Sequence, residues 1–160
     1  MIEKIARKLL PPIWVLFAIA MQILLDFKFP IFEVRSGLLL IVGIGFMVLG
    51  IVITLTAANS FRRAKTPIKP FTESTAIVRS GLYRYTRNPM YLGMLIMLAV
   101  AAASLQALGP FLIVPLFFLL IDRGYVRQEE QFLLERFGNE FRELQSAVPR
   151  WLGAKPRHYS

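Results

Sequence analysis

Two adjacent carboxylates near the C-terminus are the residues whose setting first suggests chemistry. Glu129 and Glu130 lie in a charged segment whose apolar residues recur with a helical period. A helix placed from Arg123 to about Val148, at ~100° per residue, gathers six apolar side chains on one face: Val126, Leu133, Phe137, Phe141, Leu144 and Val148. Glu130 falls in the middle of this face and Glu129 at its edge. Gly138 is the one position where this helix is expected to break.

A carboxylate in the middle of an apolar face is unfavourable unless it has a partner. Two interpretations of Glu130 stay open. Near a membrane, such a group indicates a functional site by default. It could equally form a structural ion pair with basic residues elsewhere in the chain, and helical periodicity favours neither interpretation.

The second candidate cluster is the segment 81–93, which has the sequence GLYRYTRNPMYLG. Asn88 suits the N-cap of a helix and Pro89 suits its first turn. The N-terminus of that helix would attract an anionic group of a ligand. Alternatively, the tyrosines and arginines of this segment anchor a helix end at the membrane interface. The pattern alone slightly favours the anchor.

Several kinds of site are excluded by composition. The chain has no Cys, and His158 is its only His. This composition excludes thiolate chemistry, His/Cys metal centres and catalytic triads with a His base. We predict no metal site.

Four apolar stretches are the elements that must position these residues. Hydrophobic residues form 56% of the 160-residue chain, above the ~45–50% of soluble domains. The stretches cover residues 13–29, 37–58, 90–105 and 107–121. They predict an all-α, multi-pass transmembrane bundle of about four helices, forming a single domain over 1–160. A polar loop at 60–89 and an amphipathic C-terminal helix at 123–148 complete it. The last two stretches are short, so full crossing of the 90–121 hairpin stays open.

Small residues recur every seven positions along the second apolar stretch, at Gly43, Gly50 and Ala57. A stripe of small residues lets a neighbouring helix approach closely. We therefore expect the 37–58 helix to pack tightly against another helix.

Basic residues are concentrated on one side of the predicted bundle. Residues 1–12 carry a net charge of +2 and the 60–89 loop a net charge of +6, within a total of +9. Because these segments flank apolar stretches, the charge favours the cytosolic face of a membrane protein over a nucleic-acid binder. Counting crossings then places the N-terminus, the loop, the candidate site and the C-terminal segment in the cytosol.

Three ordered motifs make a recognisable set. GLYRYTRNPMYLG at 81–93 fits G-x-Y-x-x-x-R-[HN]-P-x-Y-x-G, and EEQFLLERFGNEF at 129–141 fits E-E-x-x-L-x-x-x-F-G-x-x-[YF]. Val148 to Leu152 reads V-P-R-W-L. With these motifs the chain resembles the superfamily of isoprenylcysteine carboxyl methyltransferases and phospholipid methyltransferases.

The resemblance implies an integral membrane enzyme that uses S-adenosylmethionine (SAM). It implies cofactor-binding residues at the positions that match the family motifs: Arg87, Asn88, Tyr91, Leu92, Glu129 and Glu130. Glu130, Arg136 and Arg150 are the candidates for catalysis, the two arginines to steer the acceptor or neutralise charge. Asn88 replaces a common His, and an Asn side chain cannot act as a base near pH 7.

The expected function is methyl transfer from SAM to a lipophilic acceptor, either an isoprenylcysteine-type carboxylate or a lipid headgroup. Its expected partners are membrane lipids and a lipidic substrate. Two alternatives stay open: an NADPH-dependent membrane reductase of the sterol type, and a lipid-binding membrane protein without enzymatic activity. The reductases have an acidic residue after the motif's last Gly, where this chain has Met94.

Overall fold

The structure is a computed structural model that describes residues 10–29, 36–68 and 74–153. Within these residues every regular element is helical, as predicted. The α-helices are α1 (Pro11–Lys28), α2 (Gly37–Arg63), α3 (Pro89–Leu105), α4 (Ile113–Ile121), α5 (Arg127–Phe137) and α6 (Asn139–Ala147). Two 3₁₀ turns, Gly81–Arg84 and Gly109–Leu112, and a π-helical turn, Asp122–Val126, complete the elements.

Three helical stretches in the described part of the chain are long and apolar enough to cross a membrane. They are Pro11–Lys28, Ile41–Arg63 and Gly109–Phe137, and the shorter apolar helix α3 joins them. Large apolar side chains on α1 and α2 are exposed, for example Leu16 at 68% and Ile41 at 69%. Such broad apolar surfaces are stable against lipid and not against water. The chain is therefore an integral membrane protein with a multi-pass helical fold.

Helices α2 and α3 pack closely along the predicted stripe of small residues. A Cβ atom added to Gly50 would lie 3.0 Å from the carbonyl oxygen of Gly93, which is a backbone atom. A Cβ atom on Gly43 would collide with the side chain of Ser104, and Ala57 is fully buried. The prediction that this helix packs tightly against a neighbour is confirmed.

Two side chains of helix α1 form hydrogen bonds with the core. Trp14 Nε1 donates to the hydroxyl of Tyr125 at 2.7 Å. Gln22 Nε2 donates to the carbonyl oxygen of Leu98 at 3.0 Å, and the Gln22 side chain is fully buried. Around them lies a core formed by α1, α3, α4 and the π-helical turn.

The C-terminal helix predicted for 123–148 differs from the structure at its start. No break follows residue 121, because α4 continues through the π-helical turn into α5. The break expected at Gly138 is present: α5 ends at Phe137, and Gly138 adopts a φ of +52°, a region that Gly occupies at little cost. Helix α6 then begins at Asn139.

The apolar face nevertheless holds together across this break. Phe141, Leu144 and Val148 are buried as one cluster, and Leu133 and Phe137 pack against them. Ile77, from the segment before α3, joins the same cluster. The C-terminal helices therefore fold back over the loop that precedes α3.

Candidate functional site

The turn before α3 is held by the segment that follows α6. The backbone N–H of Arg87 donates to the carbonyl oxygen of Pro149 at 3.0 Å. The hydroxyl of Thr86 and the side-chain amide of Asn88 both donate to the carbonyl oxygen of Arg150, each at 3.0 Å. These contacts bring together the first and third sequence motifs.

Asn88 stands at the N-cap of α3, as predicted, but its side chain makes no capping hydrogen bond. Its Nδ2 group instead donates to Arg150, and its backbone N–H donates to the Thr86 hydroxyl oxygen at 3.2 Å. The N-terminus of α3 is consequently not closed by its own cap residue. This leaves its first N–H groups available to another acceptor.

Glu130 is buried between two arginines. Its Oε1 atom lies 2.9 Å from Nη2 of Arg87, and its Oε2 atom lies 2.6 Å from Nη2 of Arg150. Nε of Arg150 also donates to both carboxylate oxygens at 3.1 Å. The Glu130 and Arg87 side chains are 8% and 10% exposed. Such charge-assisted bonds are stronger than neutral ones, so Glu130 fixes α5 to the turn before α3 and to the C-terminal segment.

The pKa values of the two arginines shift in opposite directions, because burial has the larger effect on Arg87 and the Glu130 hydrogen bond has the larger effect on Arg150. Burial lowers the pKa of Arg87, and the adjacent Glu130 carboxylate opposes that change. Hydrogen bonding to Glu130 raises the pKa of Arg150, and burial partly offsets this increase. Because the pKa of an arginine lies far above neutral pH, both side chains carry their charge at pH 7.

Asp122 extends the ion pairs and was not singled out from sequence. It accepts a hydrogen bond from Nε of Arg127 at 2.7 Å and one from Nε1 of Trp151 at 3.3 Å. Nη1 of Arg150 lies 3.9 Å away. Charges therefore alternate from Asp122 through Arg150 and Glu130 to Arg87. A carboxylate directly after an apolar stretch was the available signal.

A cavity lies beside these ion pairs. It is enclosed by the C-terminal end of α2, residues 74–78, the start of α3, and helices α5 and α6. Its polar lining comes from six side chains besides Ser74: Tyr83, Arg87, Asn88, Tyr91, Glu129 and Glu130. Its apolar lining includes Ile77, Val126, Leu133, Phe141 and Leu144. A largely apolar cavity with a few convergent polar groups is the usual form of a small-molecule site.

Glu129 differs from Glu130 in having no cationic partner among the residues that the structure describes. Its Oε2 atom accepts a hydrogen bond from the hydroxyl of Tyr91 at 3.2 Å. Both residues line the cavity. The cavity thus contains one carboxylate that is paired with cations, Glu130, and one that has no cation beside it among the described residues, Glu129.

The structure places the sequence candidates in three groups. Arg87, Asn88, Tyr91, Glu129 and Glu130 line the cavity. Arg150 binds Glu130 from outside the lining.

Leu92 and Arg136 are the two candidates that are not brought to the cavity lining. Leu92 is half-buried on α3, where its N–H donates to the Asn88 carbonyl oxygen. Arg136 is exposed on α5, with its guanidinium 6.0 Å from the centre of the Phe137 ring.

The sequence that forms the cavity is of a membrane methyltransferase type. The chain belongs to the phospholipid methyltransferase family, whose sequence pattern matches residues 38–140, more than half of the chain. No curated protein and no solved structure matches it. Arg150 and Trp151 lie beyond the matched residues.

Proposed function

We propose that the chain transfers a methyl group from SAM to the headgroup amine of a membrane phospholipid. The observation that carries this proposal is a cavity lined by both Arg87 and Glu129, in which Glu129 has no cationic partner among the described residues. The family assignment supports methyl transfer. The proposal adds to the family assignment that SAM is the methyl donor and that an amine is the acceptor.

The cavity fits the cofactor in charge and polarity. Nε of Arg87 is buried and has no hydrogen-bond partner among the described residues. A buried donor left unsatisfied costs ~1–3 kcal/mol, so a ligand oxygen at this position would be favoured. The carboxylate of SAM offers that oxygen, while Glu129 complements the positive charge of the sulfonium and ammonium groups.

SAM supplies a methyl group that is already activated by its bond to a sulfonium. The residues of this chain therefore have to bind, orient and exclude water. The apolar side chains of Ile77, Leu133 and Phe141 would exclude water from the cavity. The ion pairs of Glu130 would hold the segments that carry these side chains together. Alignment of two reactants can lower the barrier by up to ~7–11 kcal/mol.

The charges in the cavity favour an amine over a carboxylate as acceptor. Arg87, the guanidinium that lines the cavity, is engaged by Glu130, so an acceptor carboxylate inside the cavity would have to compete for it. An amine would instead meet Glu129, which can take up its proton as the N–CH₃ bond forms. The Tyr91 hydroxyl would hold the Glu129 carboxylate in place meanwhile.

The proposal includes an orientation in which the cavity opens to the cytosol. Exposed Arg62, Arg63, Lys65 and Arg84 lie on the same side of the bundle as the cavity. By the positive-inside rule this side is cytosolic, where SAM is available.

Methyl transfer to two acceptors would test the proposal. Full-length protein in nanodiscs would receive SAM with a labelled methyl group and either phosphatidylethanolamine or an S-farnesylcysteine. We expect label in the phospholipid, and a loss of about 10²–10⁴-fold in Glu129→Gln. Glu135→Gln is the matched control, because Glu135 is exposed on the same helix and, among the described residues, forms a hydrogen bond with Gln131 alone. Label only in farnesylcysteine would overturn the amine acceptor.

A further inference from the structure

A second concave surface lies on the lipid-facing side of the bundle, between α3 and α4. It is lined by six side chains, all apolar: Leu95, Ile96, Ala99, Val114, Pro115 and Phe118. Its volume is about 740 Å³, counting the space open to the surroundings. We call this surface the α3–α4 groove. Because no polar group lines it, its occupant must be hydrocarbon over this length.

One end of the groove is polar and charged. The Phe118 ring lies 5.1 Å from the Trp151 ring, and Trp151 in turn donates to Asp122. Asp122 binds Arg127, whose side chain is 59% exposed. The groove therefore passes from purely apolar walls to guanidinium groups within about one helical turn of Phe118, since ~5.4 Å separates successive turns.

The same end adjoins the proposed active site. Arg150 precedes Trp151 in the chain, binds Glu130 at 2.6 Å, and keeps 35% of its side chain exposed. The Arg150–Trp151 pair thus contacts both a groove residue, Phe118, and a cavity residue, Glu130, and we call this pair the wall. A molecule lying in the groove would present its polar end to this wall.

We infer that the α3–α4 groove holds one acyl chain of the phospholipid acceptor, with the lipid phosphate beside Arg127 and Arg150. This inference rests on the proposed function and adds the site that selects a diacyl lipid. An amphiphile with an anionic phosphate fits both halves of the surface, because hydrocarbon meets the six apolar walls and phosphate meets two partly exposed guanidinium groups. An apolar face of a second protein copy would match only the first half.

Photo-crosslinking in a membrane would test the inference. Full-length protein in phosphatidylcholine nanodiscs would receive phosphatidylethanolamine with a diazirine in its acyl chain. We expect adducts on α3 and α4 at the groove residues. Ala99→Phe fills the groove, so it should lower these adducts and raise KM for long-chain phosphatidylethanolamine by about tenfold, the loss of roughly two buried methylene groups.

Two controls separate the groove from general effects of added bulk. Ala20→Phe makes the same substitution at an exposed position of α1, a helix that contributes nothing to the groove lining, and should change neither readout. A short-chain phosphatidylethanolamine should be methylated equally by wild type and Ala99→Phe, because it does not reach the groove. SAM affinity should be the same in all three proteins.

The inference is overturned if adducts in Ala99→Phe equal those of wild type, or if they fall only on the outer faces of α1 and α2. A change in oligomeric mass on Ala99→Phe would assign the groove to a second copy and also overturn it. In both cases SAM binding and methyl transfer by wild type would leave the proposed function standing. Absence of SAM binding in wild type would overturn the proposed function, and the acceptor role of the groove with it.

Discussion

Glu129 and Glu130 are neighbours in sequence and have opposite surroundings. Glu130 contacts two guanidinium groups, whereas Glu129 contacts the Tyr91 hydroxyl. One turn of helix thus supplies both a structural ion pair and a carboxylate with spare capacity. The sequence left open whether Glu130 forms a structural ion pair, and its contacts with Arg87 and Arg150 are those of such a pair. Glu129 is the carboxylate that has no cationic partner among the described residues.

Replacing Glu130 should cost stability. Glu130→Gln removes a buried charge and leaves the buried Arg87 uncompensated and Arg150 with Asp122 alone, and loss of one partner of a buried ion pair typically costs ~3–5 kcal/mol. Thermal or denaturant unfolding in detergent would measure the change. Glu140→Gln is the control, since its partner Arg79 and Glu140 itself are 44% and 54% exposed, and such pairs contribute ~0–1 kcal/mol. Equal shifts for the two variants would show that Glu130 is not the clamp between these segments.

Sequence reasoning selected residues that line the cavity, but it did not predict their contacts. Apolar periodicity selected Glu130, because burial on a helix face follows directly from residue spacing. It did not find Asp122 or Trp151, whose roles depend on how the C-terminal segment returns to the end of α4. Asn88 was placed at the right helix end, but its side chain binds Arg150 because that carbonyl comes within reach only in the folded chain.

At the scale of elements, the helical character of each apolar stretch was predictable, and the joints between helices were harder to place. The charge at Asp122 suggested a helix end, yet α4 runs on through the π-helical turn. π-Helical turns are frequent at functional sites, and one extra residue in a turn rotates all that follows by ~100°. This rotation sets the face that α5 presents to the cavity. Local sequence does not encode it, since it depends on packing around Tyr125 and Val126.

The contact between α2 and α3 gives a prediction at this scale. Gly93→Ala should destabilise the bundle by ~1–3 kcal/mol through overpacking, because its Cβ would lie 2.8 Å from the Gly50 carbonyl oxygen. Unfolding midpoints in detergent would measure this. Gly45→Ala adds the same methyl group where nothing lies within 4 Å, and should keep or raise stability. Similar midpoints for the two variants would contradict the close packing.

For the whole molecule, composition and charge predicted a multi-pass membrane protein but did not determine how many times the chain crosses the membrane. The length of an apolar stretch predicts a membrane span because a single segment in lipid must pair its own backbone N–H and C=O groups, and a helix does so. The 17 residues of α3 remain short for a full crossing. Side-chain pairing across the bundle, such as Trp14 with Tyr125, depends on long-range packing that one sequence does not reveal.

The orientation can be measured because the chain has no Cys. Single substitutions Ser80→Cys and Leu108→Cys place thiols at exposed positions, one before α3 and one in the turn that follows it. We expect a membrane-impermeant maleimide to label residue 80 only from the cytosolic side and residue 108 only from the opposite side. Labelling of both from one side would contradict full crossing by α3.

The central claim is that the cavity beside Glu129 and Arg87 binds SAM. Titration of SAM into the folded full-length protein in detergent, followed by calorimetry, tests it most directly. We predict saturable binding with a Kd in the range ~1 μM–1 mM, weakened about tenfold or more in Glu129→Gln and unchanged in Glu135→Gln. A folded wild-type sample that does not bind SAM, or binding that is equal in all three proteins, would contradict the account.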